Sequence, residues 1–176
     1  SDTDPTLIVI GSDGTRMSTV VDLGGRRVRS FSVAPDAVQV ALVLERGKTR
    51  ALGIGLLSRQ EGAVHLSHIA DIPLSSSDVN LSIITDVAWL SQTRLCVLGR
   101  AIDAGVTTPY EIAVDGSGAT SMGQLTATSM AAVVALPKET GTEAVVLSED
   151  GILLRHEDSF RWRQILQGVS AVAVTA

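Results

Sequence analysis

The segment Ser32-Val33-Ala34 returns in related form as Asp86-Val87-Ala88, Ser129-Met130-Ala131 and Ala171-Val172-Ala173. The starts of these four segments are separated by 54, 43 and 42 residues. Each segment opens a short apolar run, and turn-forming residues follow the first three. A repeat of about 40 to 50 residues is typical of β-propellers, in which each repeat is one blade. The repeat therefore predicts the architecture of the chain and makes an enzyme less expected.

The residues between these segments read as strands joined by turns. After the first segment, residues 37–44 form an apolar run, Arg46-Gly47-Lys48 is a turn, and residues 49–57 and 63–69 form two further strands. The later units have the same pattern, with strands predicted at 81–89, 94–99, 110–114, 144–147, 152–155 and 160–165. Turn signals recur every 8 to 12 residues, and no window keeps a helical period for three turns without glycine. The pattern therefore favours an all-β chain over a helical one.

The two ends of the chain read as parts of units. Residues 6–31, with a turn at Asp13-Gly14, look like the later strands of a blade whose first strand is absent. Residues 168–176 look like the first strand of a further unit. Because strands from both termini often complete one blade of a closed propeller, we expect the two ends to share a blade. The predicted fold is a single all-β domain over residues 1–176, with about four blades, or a fragment of a larger propeller.

Composition restricts the possible functions. The chain has 176 residues, 45% hydrophobic and 19% charged, which is enough for one sizeable core. Its formal net charge of −5 disfavours a nucleic-acid surface, because neutralising phosphates requires an excess of Lys and Arg. No apolar run approaches the about 20 residues of a membrane helix. The single cysteine, Cys96, permits no disulfide within the chain, and its apolar neighbours predict a buried structural thiol.

No motif in the sequence predicts a catalytic, metal-binding or cofactor-binding residue. Gly47-Lys48-Thr49 lacks the upstream glycine of a phosphate-binding loop, because position 42 is Leu42. His65 and His68 are three residues apart, so regular strand alternation places them on opposite faces. His156 precedes Glu157 and Asp158, where a solvated loop is favoured over a catalytic base. Asp115-Gly116-Ser117-Gly118 lacks the ligand series of a calcium loop and is interpreted as a turn.

Two groups of arginines allow two interpretations. They are Arg26, Arg27 and Arg29 near the start of the chain, and Arg161 and Arg163 near its end. Such charges on outer strands protect sheet edges from aggregation, or they form a docking patch for an acidic partner. Trp162 between the last two arginines is expected to pack between blades, and Trp89 is expected to be structural as well.

Three stretches resemble the C-terminal propeller of the actinobacterial LpqB lipoprotein family. They are Ser82–Trp89 followed by Thr93–Gly99, then Pro109–Ser117, and finally Trp162–Ile165 with the valine-rich close from Gly168. The resemblance covers most of the chain from about Ser30 onward. In that family a lipidated N-terminal cysteine and a GerMN-type domain precede the propeller, and neither is present here. The chain therefore resembles a C-terminal fragment.

The resemblance implies a non-catalytic, extracytoplasmic interaction module of a lipid-anchored protein. Its implied partner is the extracellular region of an MtrB-like sensor histidine kinase in an MtrAB-type two-component system. The membrane is reached only through the missing lipid anchor, and no cofactor is implied. A propeller that binds small ligands or glycans in its central channel remains the alternative, and a hydrolase using His156 is a third. We also expect a fragment with open sheet edges to pair its termini or to associate with a second copy.

Overall fold

A computed structural model gives the fold of the chain, which is all-β in the part it describes. The described residues are 5–10, 13–60, 63–75, 79–123, 125, 128–139, 141–158 and 160–173. Within them, fourteen antiparallel strands form one two-stranded and three four-stranded sheets. The prediction of an all-β propeller arrangement of about four blades is confirmed. Among these residues no helix has the length and apolar character that a membrane crossing requires.

The first two sheets come from the N-terminal part of the chain. Blade 1 is a hairpin of β1 (Thr6–Ile10) and β2 (Arg16–Val20). Its turn includes Asp13 and Gly14, and Gly14 has the positive φ of +81° predicted for this dipeptide. Blade 2 contains four strands in chain order: β3 (Arg27–Val33), β4 (Gln39–Arg46), β5 (Thr49–Gln60) and β6 (Ala63–Ile72).

The next two blades repeat the four-stranded order. Blade 3 consists of β7 (Leu81–Ser91), β8 (Arg94–Ala101), β9 (Thr108–Ala113) and β10 (Ala119–Ser121). Blade 4 consists of β11 (Met130–Lys138), β12 (Gly141–Ser148), β13 (Ile152–Asp158) and β14 (Arg161–Gln167). The repeated segments fall at different places in the blades: Ser32-Val33-Ala34 ends β3, Asp86-Val87-Ala88 lies within β7, and Ser129-Met130-Ala131 begins β11. Ala171-Val172-Ala173 lies in no strand. The prediction that each segment opens a strand therefore holds for the third segment only.

The second strand of each complete blade is buried on both faces, and its alternate side chains pack against different neighbours. In β4, Val40, Leu42 and Leu44 face blade 1, whereas Ala41 and Val43 join blade 3. In β8, Leu95 and Val97 meet blade 2, whereas Cys96 and Leu98 meet blade 4. This placement explains why these strands read as continuous apolar runs rather than as alternating ones.

The expected sharing of a blade between the two ends is not formed in the described residues. The C-terminal segment stays with blade 4, because the Val169 N–H donates to the Gly151 carbonyl (3.0 Å) and Val169 and Val172 pack on its core. No strand is assigned in residues 168–173. The last three residues of the predicted terminal strand, 174–176, lie outside the described residues.

The assignment of residues 26–31 to the first unit is also wrong. These residues begin the first strand of blade 2, since Phe31 pairs with Leu42 and Val33 with Val40. The turn between the two strands is closed by a hydrogen bond from the Ala37 N–H to the Ala34 carbonyl (2.9 Å). In the part of the chain that the structure describes, blade 1 therefore contains the two strands β1 and β2.

Candidate functional site

The histidines of β6 are exposed and lie beside a bulge in the strand. Between the pairs Ile54–Ala70 and Leu56–Ser67, β6 advances by three residues while β5 advances by two. β6 therefore has one extra residue here. His68 sits in this bulge with a φ of +52°, which is uncommon for a residue other than glycine. Strict alternation therefore does not hold between His65 and His68, and the argument placing them on opposite faces fails here. Within the described residues, no group of three or more side chains could hold a metal ion.

His156 serves as a packing residue in blade 4. Its ring lies 4.8 Å from that of Trp162, centroid to centroid, at a tilt of 54°. Both neighbouring carboxylates face arginines: Asp158 accepts from Arg161 (Nε to Oδ1, 2.8 Å), and Glu157 lies 3.9 Å from Arg163. The hydrogen bond from Arg161 also lowers the pKa of Asp158. The predicted solvated loop is instead the end of β13, where Asp158 and Glu157 pair with exposed arginines of β14.

Two other expectations about reactive motifs are met by the structure. Gly47 and Lys48 form the tight turn between β4 and β5, and Gly47 has a φ of +61°. Cys96 is fully buried in β8, with its sulfur 3.6 Å from that of Met122, and burial raises the pKa of its thiol. The Gly47-Lys48 turn and the Cys96 thiol therefore have the structural roles predicted from the sequence.

The predicted arginine clusters are largely neutralised by nearby carboxylates. Arg26 donates to Asp71 (Nη1 to Oδ1, 2.6 Å). Glu45 accepts from Arg29 and also from Arg50 (Nε to Oε2, 3.1 Å), which in turn donates to the Ile84 carbonyl of blade 3 (2.9 Å). The hydrogen bond from Arg29 lowers the pKa of Glu45. Sequence reasoning missed Glu45 and Arg50, because nothing in the local sequence indicates that they meet.

A polar cleft lies beside β6, where the connection from blade 1 to blade 2 passes. The cleft encloses about 470 Å³, and its polar lining includes Arg26, Arg46, His68 and Asp71. Arg46 holds the connection by donating from Nη2 to the Gly24 carbonyl (2.8 Å). The cleft thus combines cationic and anionic groups in one concave surface.

A carboxylate on β7 connects three blades. Asp86 accepts through Oδ1 from the Ser30 hydroxyl of blade 2 and through Oδ2 from the Val133 N–H of blade 4 (2.8 Å). Its own strand contributes the Val87 N–H (3.0 Å). In the sequence, Asp86 stands out as a carboxylate within an apolar run. From the sequence alone, the segment Asp86-Val87-Ala88 is interpreted only as part of a repeated strand.

The two tryptophans also join neighbouring blades. Trp89 is buried and donates from Nε1 to the Ser32 carbonyl of blade 2 (2.8 Å). Trp162 donates from Nε1 to the Met122 carbonyl beyond the last strand of blade 3 (2.7 Å). The prediction that both are structural, with Trp162 between blades, is confirmed.

The outer strand of blade 4 carries an exposed surface of mixed chemistry. Phe160 is 66% exposed and Ile165 is 43% exposed. Phe160 directly precedes β14, whereas Arg161, Arg163 and Ile165 lie on that strand, and both arginine side chains are largely exposed. We call Phe160, Arg161, Arg163 and Ile165 the blade 4 surface.

The sequence is similar to two curated lipoproteins of Streptomyces. It is 29% identical over 141 residues to "Lipoprotein LpqB" of Streptomyces avermitilis, covering 80% of this chain and 23% of that protein. It is 30% identical over 146 residues to "Lipoprotein LpqB" of Streptomyces coelicolor, covering 83% of this chain and 23% of that protein. The chain thus spans about a quarter of the length of these relatives.

The structural and family comparisons cover most of the chain. The crystal structure of the major Malassezia sympodialis allergen Mala s 1 is similar with a TM-score of 0.49 and 8% identity, over 87% of this chain and 69% of that one. The family model for the lipoprotein LpqB β-propeller domain matches residues 4–173. The chain therefore belongs to the LpqB lipoprotein β-propeller domain family.

Proposed function

We propose that this chain is the non-catalytic interaction module of an extracytoplasmic, lipid-anchored protein of the cell envelope. Its partner in this proposal is the extracellular region of an MtrB-like sensor histidine kinase, whose signalling it modulates. Family membership supports the envelope setting, because the Streptomyces relatives are described as lipoproteins. The lipid anchor and the sensor kinase partner are proposed for a longer protein that contains this chain.

The observation that carries the proposal is the blade 4 surface. Aromatic residues and arginines are enriched at protein–protein interfaces, and Phe160 is a large, exposed apolar side chain next in sequence to Arg161. The ion pairs of Arg161 and Arg163 are exposed, and exposed ion pairs are worth little. Acidic groups of a partner can therefore replace Asp158 and Glu157 at small cost.

Calorimetric titration of the chain with the purified kinase ectodomain tests this proposal. We expect binding by the unmodified chain and at least tenfold weaker binding after Phe160→Ala or Arg163→Ala. Ile102→Ala is the matched control, since Ile102 is 61% exposed but lies on blade 3. Absence of binding by the unmodified chain, or equal weakening by Ile102→Ala, would contradict the proposal.

The polar cleft beside β6 favours a second candidate function, the binding of a small envelope ligand or glycan. Its Arg46, His68 and Asp71 offer donors and acceptors to a polar or anionic ligand. Ligand-observed NMR with muropeptides would detect saturation transfer that Arg46→Ala reduces. No transfer at millimolar ligand would exclude this candidate.

A further inference from the structure

Basic side chains gather at one end of blade 2. The register pairs Arg27 of β3 with Glu45 of β4, and Glu45 with Arg50 of β5, so these three strand ends lie side by side. The exposed turn Gly47-Lys48 joins β4 to β5 at this same end. Six cations lie on these strand ends, on the turn and just before β3, and we call them the basic rim: Arg26, Arg27, Arg29, Arg46, Lys48 and Arg50.

The basic rim has a surplus of positive charge. In the described residues, three carboxylates pair with the rim or line the polar cleft beside it: Asp22, Glu45 and Asp71. Glu45 is shared between Arg29 and Arg50, so it balances only one of the two guanidinium groups. Of the 14 Lys and Arg and the 19 Asp and Glu in the chain, the remaining eight cations are outnumbered by sixteen acids. The rim is therefore a basic region on an otherwise acidic chain.

An exposed apolar side chain lies at the same end of blade 3. The Ser30 hydroxyl of β3 donates to Asp86 of β7. Two residues further along β3, the Ser32 carbonyl accepts from Trp89 (2.8 Å), so the two strands run in the same direction. The loop between β8 and β9 therefore lies at the end that carries the basic rim. Ile102 in this loop is 61% exposed.

We propose that the basic rim and Ile102 dock this chain on the surface of a bilayer that contains anionic phospholipids. Clustered Lys and Arg are attracted to such a surface, and an apolar side chain beside them enters the boundary between headgroups and acyl chains. This contact is additional to a lipid anchor. It rests on the proposed function in one respect, since a lipid-anchored protein stays beside a membrane. The docking residues belong to blades 2 and 3 and not to the blade 4 surface.

Charge determines how the chain lies on the bilayer. β11 begins at the same end as the rim, because its first N–H donates to the carbonyl of the residue before β9 (3.0 Å). The turn of blade 4 at this end has the exposed acids Glu149 and Asp150, and Asp103 beside Ile102 is exposed as well. The anionic surface therefore attracts blade 2 and repels blade 4. The chain lies tilted, with the turn between β4 and β5 nearest the lipid and Ile102 at the margin of the contact.

Co-sedimentation with vesicles tests the proposal. The probe is a vesicle of equal parts phosphatidylglycerol and phosphatidylcholine, and a vesicle of phosphatidylcholine alone is the neutral comparison. We expect binding to the anionic vesicles only, weakened when the salt is raised from about 50 to about 300 mM. Lys48→Ala should weaken binding about fivefold, the effect of one cation near an anionic surface. Arg59→Ala is the matched control, because Arg59 is exposed near the opposite end of β5 and its loss changes the net charge equally.

A fluorescent reporter separates insertion into a bilayer from attraction between charges alone. Ile102→Trp should add an emission that shifts to the blue on anionic vesicles and is quenched by lipids with brominated acyl chains. Val38→Trp is the matched control, because Val38 is 49% exposed but lies at the turn between β3 and β4, at the opposite end of blade 2. Its emission should not change. Circular dichroism of every variant verifies that the fold is retained.

Three outcomes would overturn the proposal. The first is no binding to the anionic vesicles at the lower salt concentration, or equal binding to the neutral ones. The second is equal weakening by Lys48→Ala and Arg59→Ala. The third is an Ile102→Trp emission that the anionic vesicles leave unchanged, which would mean that a soluble polyanion or an acidic protein fits the rim equally well. The sensor kinase titration is independent of these results, because it depends on blade 4.

Discussion

Replacing Asp86 should destabilise the chain more than replacing any exposed acid, because its carboxylate joins three blades. Asp86→Ala removes an acceptor for the Ser30 hydroxyl and for the Val133 N–H. A hydrogen bond to a charged group contributes about 1.5–3 kcal/mol, and the amide of the buried Val133 loses the Asp86 carboxylate as a partner. Since the two bonds share one carboxylate and do not add fully, we expect a loss of about 2–4 kcal/mol.

Two further variants separate the carboxylate from its partners. Asp86→Asn keeps one acceptor oxygen and should cost about 1–2 kcal/mol, and Ser30→Ala removes a single partner and should cost about 0.5–1.5 kcal/mol. Asp103→Ala is the control on the same blade, because Asp103 is exposed, and it should stay within about 0.5 kcal/mol. Urea denaturation followed by tryptophan fluorescence and far-UV circular dichroism measures each value. The reasoning is refuted if Asp86→Ala destabilises no more than Asp103→Ala.

Three other predictions concern the tryptophans, Glu45 and Cys96. Trp89→Phe should lower the free energy of unfolding more than Trp162→Phe, because each variant loses one hydrogen bond to a carbonyl but Trp89 is fully buried whereas Trp162 is only partly buried; equal urea midpoints for the two variants would contradict this. The pKa of Glu45 is lowered by folding, so its contribution to stability is present above its unfolded pKa and is lost as the pH falls through the folded one. Arg29→Ala should raise the pKa of Glu45 in an NMR titration, and an unchanged value would exclude Arg29 as the main cause. Burial raises the pKa of the Cys96 thiol, so it should react with Ellman's reagent only at the rate of unfolding, and rapid labelling of the native chain would contradict its burial.

The sequence predicts the local elements of this fold well. Asp13-Gly14 and Gly47-Lys48 impose turns through their backbone preferences, and the apolar runs between such turns became strands. Each of these predictions depends on residues close together in the chain. For the same reason, the sequence correctly predicted that Cys96 is buried and that Gly47-Lys48 is a turn between strands.

The non-local features could not be predicted in this way. Ser30 and Asp86 are 56 residues apart in sequence, and only the packing of blades brings them together. The shared blade was predicted from the strand-like composition of the C-terminal residues, but Val169 and Val172 find an apolar face on blade 4 that is nearer in sequence. The bulge at His68 depends on the pairing of β5 with β6, which no alternation pattern within one strand reveals.

The two-sided burial of the second strand in each blade has a consequence for how such a chain can change over evolution. In β8, Leu95 and Val97 determine the fit to the preceding blade, whereas Cys96 and Leu98 determine the fit to the following one. Odd and even positions of this strand therefore pack against different blades and are constrained separately. A substitution at one position must be matched only by its single neighbour, so a blade can be duplicated, lost or exchanged while the rest of the array keeps its own contacts.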